Sequence, residues 1–442
     1  MTASSGYATP TEPARRAGRK RSSFPERVCC ALFLSLLFSV VEADARGSKA
    51  PPPPPDAVDV PQCWEVGYQE LTNAIGACKS GQLAAPAALQ AADAPKPMPS
   101  RIALIDTTDL YHPPQDPGDN FDIIAAYALP ELDLKAVILD ATGKFLHEGG
   151  KRDPGFIPVL QLNSIFGRNV PCGTTPYAAM KSPEDKMLDA PAFQQLGIEL
   201  LLETLRRATN KVEITIFGSS RSVAVAYNRE PELFRQHVRR IHLCAGASSP
   251  DFLEWNVLLD PHAFVRLLRS DLPVAIYPCA TKDGPFAYGP HNSFWKLQNL
   301  GFIENVNKPL QAYLAYAFGP SSRMDFLQAM EEEVPAAALQ ALGRRSHNVW
   351  ETAVWLQIGN RRLVKRADGH FRIVPAAEVL ATDTVLPNEL RPCRVQVRDN
   401  GGFSFQLTDQ PTNFLIYDRG DPAINEQAMR EALPALYLSF RP

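Results

Sequence analysis

The chain has 442 residues, of which 45% are hydrophobic, and its formal net charge is −3. This length and composition are typical of one large α/β domain with appendages, or of two domains. A nearly neutral charge implies no basic face, so nucleic acid is excluded as an expected partner. The 40 prolines indicate long structured loops and at least one extended linker.

The N-terminal segment has the pattern of a signal peptide. A basic stretch over 15–27 precedes a mostly apolar run over 28–41, and small residues at 43–45 offer a cleavage site after Ala45. This run is shorter than the roughly 20 residues of a membrane span and suits a signal-peptide core. We therefore predict a signal peptide over 1–45 and an extracytoplasmic location, periplasmic or secreted, without membrane association after cleavage. An uncleaved anchor is the alternative.

Residues 46–99 are predicted to form a Pro/Ala-rich linker with one short helical segment. The linker contains the polyproline run Pro51–Pro55, and the helical segment carries Cys63 and Cys78. Export would permit disulfides, and these two cysteines are spaced to close a small helical hairpin. Disulfides and buried free thiols remain equal alternatives for the other four cysteines: Cys172, Cys244, Cys279 and Cys393.

From residue 100 to 442, segments typical of strands and helices alternate. Such alternation predicts βαβ units, and hence an α/β domain with a mostly parallel central sheet and helices on both faces. The predicted strands are 102–105, 134–139, 212–217, 241–244 and 273–277. The predicted helices are 122–128, 193–207, 222–227, 230–238 and 261–270. Residues 393–397 and 403–407 flank an Asn-Gly turn and predict a C-terminal β-hairpin.

An acidic turn follows the first predicted strand. Residues 106–122 hold five carboxylates: Asp106, Asp109, Asp116, Asp119 and Asp122. Open α/β sheets bind their ligands at the carboxyl ends of the strands. Asp119 or Asp122 alone would be interpreted as a helix N-cap. Five like charges so close together repel one another unless a cation or water separates them. The turn is therefore the candidate active site.

Several motifs together resemble the inosine–uridine-preferring nucleoside hydrolase family. Asp116-Pro117-Gly118 and the following Asp122 are similar to the family's strand-end turn, and residues 218–224 stand where the family has a further turn. Glu254-Trp255-Asn256, followed by Asp260-Pro261, is similar to the family's Glu-aromatic-Asn segment. Residues 347–354, which include His347 and Glu351, resemble its late metal-binding turn. The resemblance spans roughly residues 100–410.

The resemblance implies calcium-dependent hydrolysis of the N-glycosidic bond of ribonucleosides by an activated water. It implies Asp116 as the base, with Asp109 taking the strand-end position if Leu110–Gly118 is an inserted loop. His347 would protonate the leaving base, or would be a surface residue. The implied metal ligands are Asp106, Asp116, Asp122 and Glu351. The implied substrate-binding residues are Asp122, Glu254, Trp255 and Asn256.

Two departures from the family pattern keep a second hypothesis open. One of the family's paired aspartates before the helix is apolar here, and Arg221 stands near the turn whose carbonyl binds the metal. A catalytically degenerate protein that binds a riboside or sugar is therefore the alternative to an exported hydrolase. A structural envelope protein would leave the carboxylates unexplained. The sequence leaves a homo-oligomer open.

Overall fold

The computed structural model describes residues 101–114, 116–144, 152–319 and 323–442. The predicted signal peptide, the linker and the Cys63–Cys78 segment lie outside these residues. Residues 95–442 group as one compact unit. In the part of the chain that is described, no helix is long and apolar enough to cross a membrane.

A nine-stranded, mostly parallel sheet organises the described residues. Its strands in chain order are β1 (Ile102–Thr108), β3 (Leu132–Leu139), β5 (Cys172–Thr174), β6 (Val212–Phe217), β7 (Val238–Leu243), β8 (Val274–Ile276), β14 (Glu389–Val397), β15 (Phe403–Leu407) and β16 (Phe414–Asp418). Their order across the sheet is β15-β14-β16-β8-β7-β6-β1-β3-β5. From β16 to β5 every neighbouring pair is parallel, whereas β14 pairs antiparallel with both β15 and β16.

Smaller sheets hold the connecting segments. They are formed by β2 (Tyr111–His112) with β4 (Asp153–Pro154), by β9 (Trp295–Leu297) with β10 (His347–Val349), and by β11 (Arg361–Lys365) with β12 (Phe371–Pro375) and β13 (Thr384–Val385). The β9–β10 pair matters for the site because β10 leads directly into Glu351.

The α-helices, numbered in chain order, are α1 (Gly118–Ala128), α2 (Phe156–Ile165), α3 (Ala192–Arg207), α4 (Arg221–Arg229), α5 (Pro231–His237), α6 (Trp255–Leu259), α7 (Pro261–Leu268), α8 (Lys308–Phe318), α9 (Ala336–Gly343), α10 (Thr352–Ile358) and α11 (Pro422–Ser439). Short 3-10 helices span Gly301–Asn305, Gln328–Met330 and Ala376–Glu378.

Two hydrophobic cores lie on the two faces of the sheet. Successive residues of β1 point to opposite faces, so Leu104 packs in the core with α1, α8, α10 and α11, and Ile105 packs in the core with α3, α4 and α7. Strands buried on both faces read as continuous apolar runs, as β6 does. The prediction of a mostly parallel sheet with helices on both faces is confirmed.

Two predicted boundaries around the acidic turn are wrong, and both errors concern the site. Strand β1 continues to Thr108, so Asp106 lies inside the strand and not after it. Helix α1 begins at Gly118, four residues before the predicted start at Asp122. Its first turn forms because the Asp116 carboxylate accepts a hydrogen bond from the Gly118 N–H at 2.7 Å. Gly118 and Asn120 favour turns by propensity, which is why the pattern placed the helix start after them.

The C-terminal hairpin is confirmed, and the sheet extends beyond it. Cys393 pairs with Leu407 and Val397 pairs with Phe403 across the antiparallel strands β14 and β15. The sequence did not predict β16, which inserts between β14 and β8, or the long final helix α11. Cys172, Cys244, Cys279 and Cys393 are all free thiols. Cys244, Cys279 and Cys393 are buried, which is the second of the two alternatives drawn from the sequence, whereas Cys172 is partly exposed.

Candidate functional site

A cavity of about 400 Å³ opens at the carboxyl edge of the parallel strands. This volume lies within the range of small-molecule sites. The carboxylates that line it are Asp109, Asp116, Asp119, Glu254 and Glu351. The other lining residues are Phe217, Trp255, Asn256, Cys279, Pro285, Phe286 and Trp350. The cavity therefore combines an acidic lining with aromatic walls.

Three of the carboxylates come from the segment that joins β1 to α1. Asp109 follows the end of β1, and its backbone N–H donates to the carbonyl of Phe217 at 3.2 Å. Asp116 precedes α1, and Asp119 lies in the first turn of that helix. The sequence analysis left open whether Asp116 or Asp109 takes the family's position in the acidic turn. Both residues line the same cavity.

Asp122 lies below the cavity and contacts the segment that carries Glu351. Residues three apart in a helix share a face, so Asp122 lies on the same side of α1 as Asp119. The indole N–H of Trp355 donates to Asp122 Oδ1 at 2.7 Å. Glu351 directly precedes α10 and is within hydrogen-bonding reach of Asp122 when one of the two carries a proton. Asp122 therefore connects α1 to α10 and does not line the cavity itself.

Burial and mutual repulsion raise the pKa values of these acids. Burial is the largest cause for Asp119, and repulsion from Asp109 and Asp116 adds to it. The pKa of Glu351 is likewise raised well above its ordinary value, first by burial and then by Asp122. Asp116 is less perturbed: burial raises its pKa to about 6, and its hydrogen bond from Gly118 opposes the shift. At neutral pH, Asp116 is thus mostly ionised.

Asp106 lies in β1, away from the residues that line the cavity. It is buried, and its Oδ1 accepts a hydrogen bond from the hydroxyl of Thr215 at 2.5 Å. Burial raises its pKa to about 7. Asp106 is close enough to Asp122 to affect the pKa of that residue. Asp106 is therefore a neighbour of Asp122 and is not among the lining residues.

Glu254 is the N-cap residue of α6, and the whole Glu254-Trp255-Asn256 segment lines the cavity. Glu254 Oε1 accepts from the Asn256 N–H and Oε2 accepts from the Gly246 N–H, each at 2.9 Å. The Asn256 amide donates to the carbonyl of Cys244 at 3.1 Å. Trp255 is 40% exposed, and Lys144 lies over its ring with Nζ 4.8 Å from the ring centroid. Burial raises the pKa of Glu254 to about 7.

His347 is buried beside the site and does not line the cavity. Its Nε2 lies 3.9 Å from Asp116 Oδ1, beyond hydrogen-bonding distance, and its ring packs against Phe121. Burial lowers its pKa to about 4. The imidazole is therefore neutral at physiological pH.

Arg221 does not face the cavity. It is fully buried; Nε donates to Asp260 at 2.9 Å, and Nη1 donates to the carbonyls of Ala141 and Pro176 at 2.7 Å each. A guanidinium held in this way cannot occupy a cation site in the cavity. The presence of Arg221 near the turn that resembles the family's metal-binding turn is therefore no obstacle to a cation in the cavity.

Sequence reasoning missed several lining residues. Asp119 was counted in the acidic turn but given no individual role, because the helix start was set four residues too late. With the observed start, the spacing Asp116, Asp119 and Asp122 indicates one acidic face of α1. Phe286 lies in a loop without a motif, and Trp350 lies in the 347–354 motif but was given no role. No signal in the sequence brings these two residues together.

The donor chemistry of the site suits a hard cation. Three carboxylate oxygens are buried and receive no hydrogen bond: Asp106 Oδ2, Asp119 Oδ2 and Asp122 Oδ2. Carboxylate oxygens are the ligands that Ca²⁺ prefers. As the side chains stand, however, the described residues contain no group of three or more His, Cys, Asp or Glu arranged to hold a metal ion. The residue types fit calcium, whereas their positions form no coordination site.

Comparison with known proteins gives a relationship by sequence. No family model matches the chain. It is 29% identical over 184 residues to the pyrimidine-specific ribonucleoside hydrolase RihA of Citrobacter koseri, an alignment that covers 36% of this chain and 57% of that protein. The chain is a divergent nucleoside hydrolase-like protein. The alignment spans just over half the length of this relative.

Two solved structures similar to this nucleoside hydrolase-like chain carry the same family description. The purine-preferring ribonucleoside hydrolase of Gardnerella vaginalis is 15% identical with a TM-score of 0.46, covering 76% of this chain and 99% of that one. A plant nucleoside hydrolase is 13% identical with a TM-score of 0.45, covering 76% of this chain and 100% of that one.

Proposed function

We propose that the chain hydrolyses the N-glycosidic bond of ribonucleosides or related ribosides. One observation carries this proposal: five carboxylates meet aromatic side chains in one cavity at the carboxyl edge of the sheet. Cleavage through a ribosyl cation needs nearby negative charge and a base for water. The aromatic walls offer an apolar surface to a planar leaving group.

Asp116 is the best candidate for the base. Its Oδ1 is fixed by the Gly118 N–H, and its pKa of about 6 keeps it ionised at neutral pH. An ionised carboxylate with a pKa near the working pH can accept the proton of an attacking water. Asp109 lines the same cavity and is the second candidate. Its pKa is raised well above the ordinary value, first by burial and then by repulsion from Asp140, which disfavours the ionised form that a base needs.

A bound calcium ion would supply Lewis-acid activation of the water and neutralise part of the acidic cluster. Asp116, Asp119 and Glu351 line the cavity and are of the residue types that such an ion prefers, but as the side chains stand in the described residues they form no coordination site, and no step is assigned to calcium. Asp122 does not line the cavity, and the Trp355 indole N–H fixes its carboxylate by a hydrogen bond.

The sugar would be held by the Glu254–Asn256 segment. Both oxygens of Glu254 accept one backbone hydrogen bond each, and each carboxylate oxygen retains a second lone pair for a sugar hydroxyl. Asn256 is fixed by its bond to the Cys244 carbonyl. Trp255 would cover an apolar face of the sugar. His347 does not act as the acid that protonates the leaving base, because burial keeps its imidazole neutral.

A riboside- or sugar-binding protein without turnover is the second candidate. Two observations favour it. Glu254 has a complete structural role as an N-cap without any substrate. In addition, the acids of the described residues form no metal-binding group. Such a protein would use the same cavity and the same Glu254–Asn256 contacts.

One experiment separates the two candidates. The full chain is assayed for reducing-sugar release from a panel of ribonucleosides, with calcium and with chelator, and ribose binding is measured by calorimetry. The hydrolase predicts release that Asp116→Asn lowers at least about 100-fold, while Glu333→Gln, which removes an exposed surface carboxylate, leaves release unchanged. Ribose binding without sugar release would establish the binding protein. The absence of both sugar release and ribose binding would refute both candidates.

We also propose export, with the mature chain beginning after Ala45. The support is the sequence pattern over 15–45 alone. N-terminal sequencing of the mature protein from the native host tests it, and a chain that retains residues 1–45 would contradict it.

A further inference from the structure

One loop carries the most exposed aromatic ring of the cavity. This segment, which we call the wall loop, spans residues 277–294 between β8 and β9 and includes the lining residues Cys279, Pro285 and Phe286. The Phe286 side chain is 61% exposed, so packing holds only a part of it. A ring on a mobile loop loses conformational entropy when a ligand orders it, unless the loop is already fixed. The contacts that fix the wall loop therefore decide how well Phe286 can meet a ligand.

The largest set of these contacts comes from Arg419, which directly follows β16. Its side chain is buried; Nε donates to the Gly289 carbonyl at 2.9 Å, and Nη2 donates to Asn292 Oδ1 at 2.8 Å. Nη1 donates to the carbonyl of Phe294. The backbone N–H of Arg419 also donates to the carbonyl of Pro290 at 2.9 Å. One residue thus holds the second half of the wall loop through both its side chain and its backbone.

Helix α11 adds a second set of contacts through Glu426. Its Oε1 accepts a hydrogen bond from the Tyr288 hydroxyl at 2.6 Å and one from the Lys296 backbone N–H at 3.2 Å. Arg430, one turn later on α11, donates to the same oxygen and to the Lys296 carbonyl, each at 2.8 Å. The C-terminal strand and helix therefore bind the wall loop and the strand that follows it, although neither contributes a residue to the lining of the cavity.

Ring contacts connect these hydrogen bonds to Phe286. The Phe294 ring lies 5.7 Å from that of Phe286, measured between centroids. Trp350 lies 5.4 Å from Phe294 and 5.9 Å from Phe286. Its indole N–H donates to the Pro285 carbonyl at 3.3 Å. The ring of Phe286 is therefore packed against a neighbour, Phe294, whose own backbone is held by Arg419.

We propose that Arg419 and Glu426 are positioning residues, which hold the wall loop so that Phe286 meets the leaving group of a bound riboside. This inference rests on the proposed function and names the residues that prepare one side of its cavity. Fixing the loop beforehand lowers the entropy cost of binding. The contact with Phe286 is made in the bound substrate and in the transition state alike, so its loss should raise KM and leave kcat nearly unchanged. Ribose has no leaving group, so its affinity should not depend on the wall loop.

The first test needs no ligand and measures hydrogen–deuterium exchange of the wall loop in the full chain by mass spectrometry. Arg419→Lys keeps the charge but loses most of the donors, and Tyr288→Phe removes only the hydroxyl that binds Glu426. In both variants the wall loop should exchange at least about threefold faster. The control is Arg391→Gln, which breaks a pair with Asp418 and should leave this exchange unchanged. Unchanged exchange in Arg419→Lys would refute the positioning role, and should that variant fail to fold, Tyr288→Phe decides alone.

The second test compares two ligands by calorimetry: ribose, and formycin B, an inosine analogue whose carbon–carbon glycosidic bond an N-glycosidase does not cleave. Arg419→Lys should weaken formycin B binding at least about threefold, and Tyr288→Phe about twofold, while the ribose affinity stays within about twofold. Phe286→Ala should also weaken formycin B alone, and its loss should not add to that of Arg419→Lys in the double variant. Additive losses, an equal loss for both ligands, or no loss for formycin B would overturn the proposal.

Turnover gives a third readout. If the chain hydrolyses inosine, KM should rise at least about threefold in Arg419→Lys, and kcat should change by less than about twofold. A fall in kcat with KM unchanged would contradict the positioning role. If the wild type binds neither ribose nor formycin B, the proposed function fails, and with it the contact between Phe286 and a leaving group. In that case the exchange test still decides whether Arg419 and Glu426 hold the wall loop.

Discussion

Replacement of Arg221 by glutamine tests the role that the structure gives to this buried cation. Its guanidinium donates to Asp260, to the Ala141 and Pro176 carbonyls and, at 3.3 Å, to the Leu259 carbonyl. Asp140 lies 3.7 Å from its Nη1. One side chain therefore ties the end of β3 to the helices α6 and α7, which carry the Glu254–Asn256 segment.

The expected loss of stability is large because the partners remain buried. Removing one member of a buried ion pair costs about 3–5 kcal/mol, since the other charge is left uncompensated. Each carbonyl that loses its donor adds about 1–3 kcal/mol when water cannot replace it. Neighbouring effects do not simply add. We expect Arg221→Gln to lower the free energy of unfolding by about 5 kcal/mol.

Urea denaturation followed by tryptophan fluorescence measures this loss. The matched control is Arg235→Gln, which breaks an exposed pair with Asp271 and should leave the midpoint unchanged. If Arg221→Gln lost less than about 1 kcal/mol, the buried contacts of Arg221 would not carry the stability assigned to them. The free energy of unfolding of Arg221→Lys should lie between those of the wild type and the glutamine variant. Lysine keeps the positive charge but loses most of the N–H donors of the guanidinium.

Three further predictions concern the site and its surroundings. Asp119→Asn should raise the urea midpoint at pH 8, because it removes a buried carboxylate that its neighbours repel, and should lower riboside hydrolysis at least tenfold. Burial lowers the pKa of His347 from 6.5 to about 4, so the folded state resists a proton that the unfolded state accepts. The contribution of His347 to wild-type stability should therefore fall by up to about 3 kcal/mol as the pH drops from 6.5 to 4, and His347→Gln should lack this contribution in denaturation curves recorded across that range. Gly246→Ala should destabilise the fold by about 1–3 kcal/mol in urea titrations, since Gly246 has φ +85° and a Cβ there would lie 2.8 Å from Phe403.

Each of these predictions has its own check. Equal losses of stability and activity in Asp119→Asn would mean that the residue is structural. The pH effect of His347 is obtained as the difference between variant and wild type, because the buried carboxylates change stability in the opposite direction over the same range. Gly369→Ala is the control for Gly246→Ala: its φ is +89°, but a Cβ there meets no atom within 4 Å. Losses of the same size at both glycines would exclude the contact with Phe403 as the cause.

The core of the fold could be predicted because its strands are buried on both faces. The apolar run of β6 gave its bounds, Val212–Phe217, without error. The C-terminal part was harder to predict. Strand β16 pairs with β8 and β14 although it follows β8 by more than a hundred residues, and periodicity carries no information about which strand lies beside which. Such long-range pairing is decided by tertiary packing.

The site was predictable where a motif carried the signal. Asp109, Asp116 and the Glu254–Asn256 segment all line the cavity. Asp119 was given no individual role because the helix was predicted to start at Asp122, four residues after the observed start of α1 at Gly118. The aromatic wall was missed because Phe286 and Trp350 are far apart in sequence and come together only in the folded chain.

The position of β16 in the sheet has a consequence for how the protein is made. Strand β8 is completed at Ile276, but its parallel neighbour at Phe414–Asp418 leaves the ribosome much later. Until then the backbone N–H and C=O groups along one edge of β8 have no partner, and such edges promote pairing between chains. A nascent or prematurely terminated chain should therefore depend on chaperones during this interval. Ribosome-stalled chains ending at residue 410 should aggregate more than complete ones.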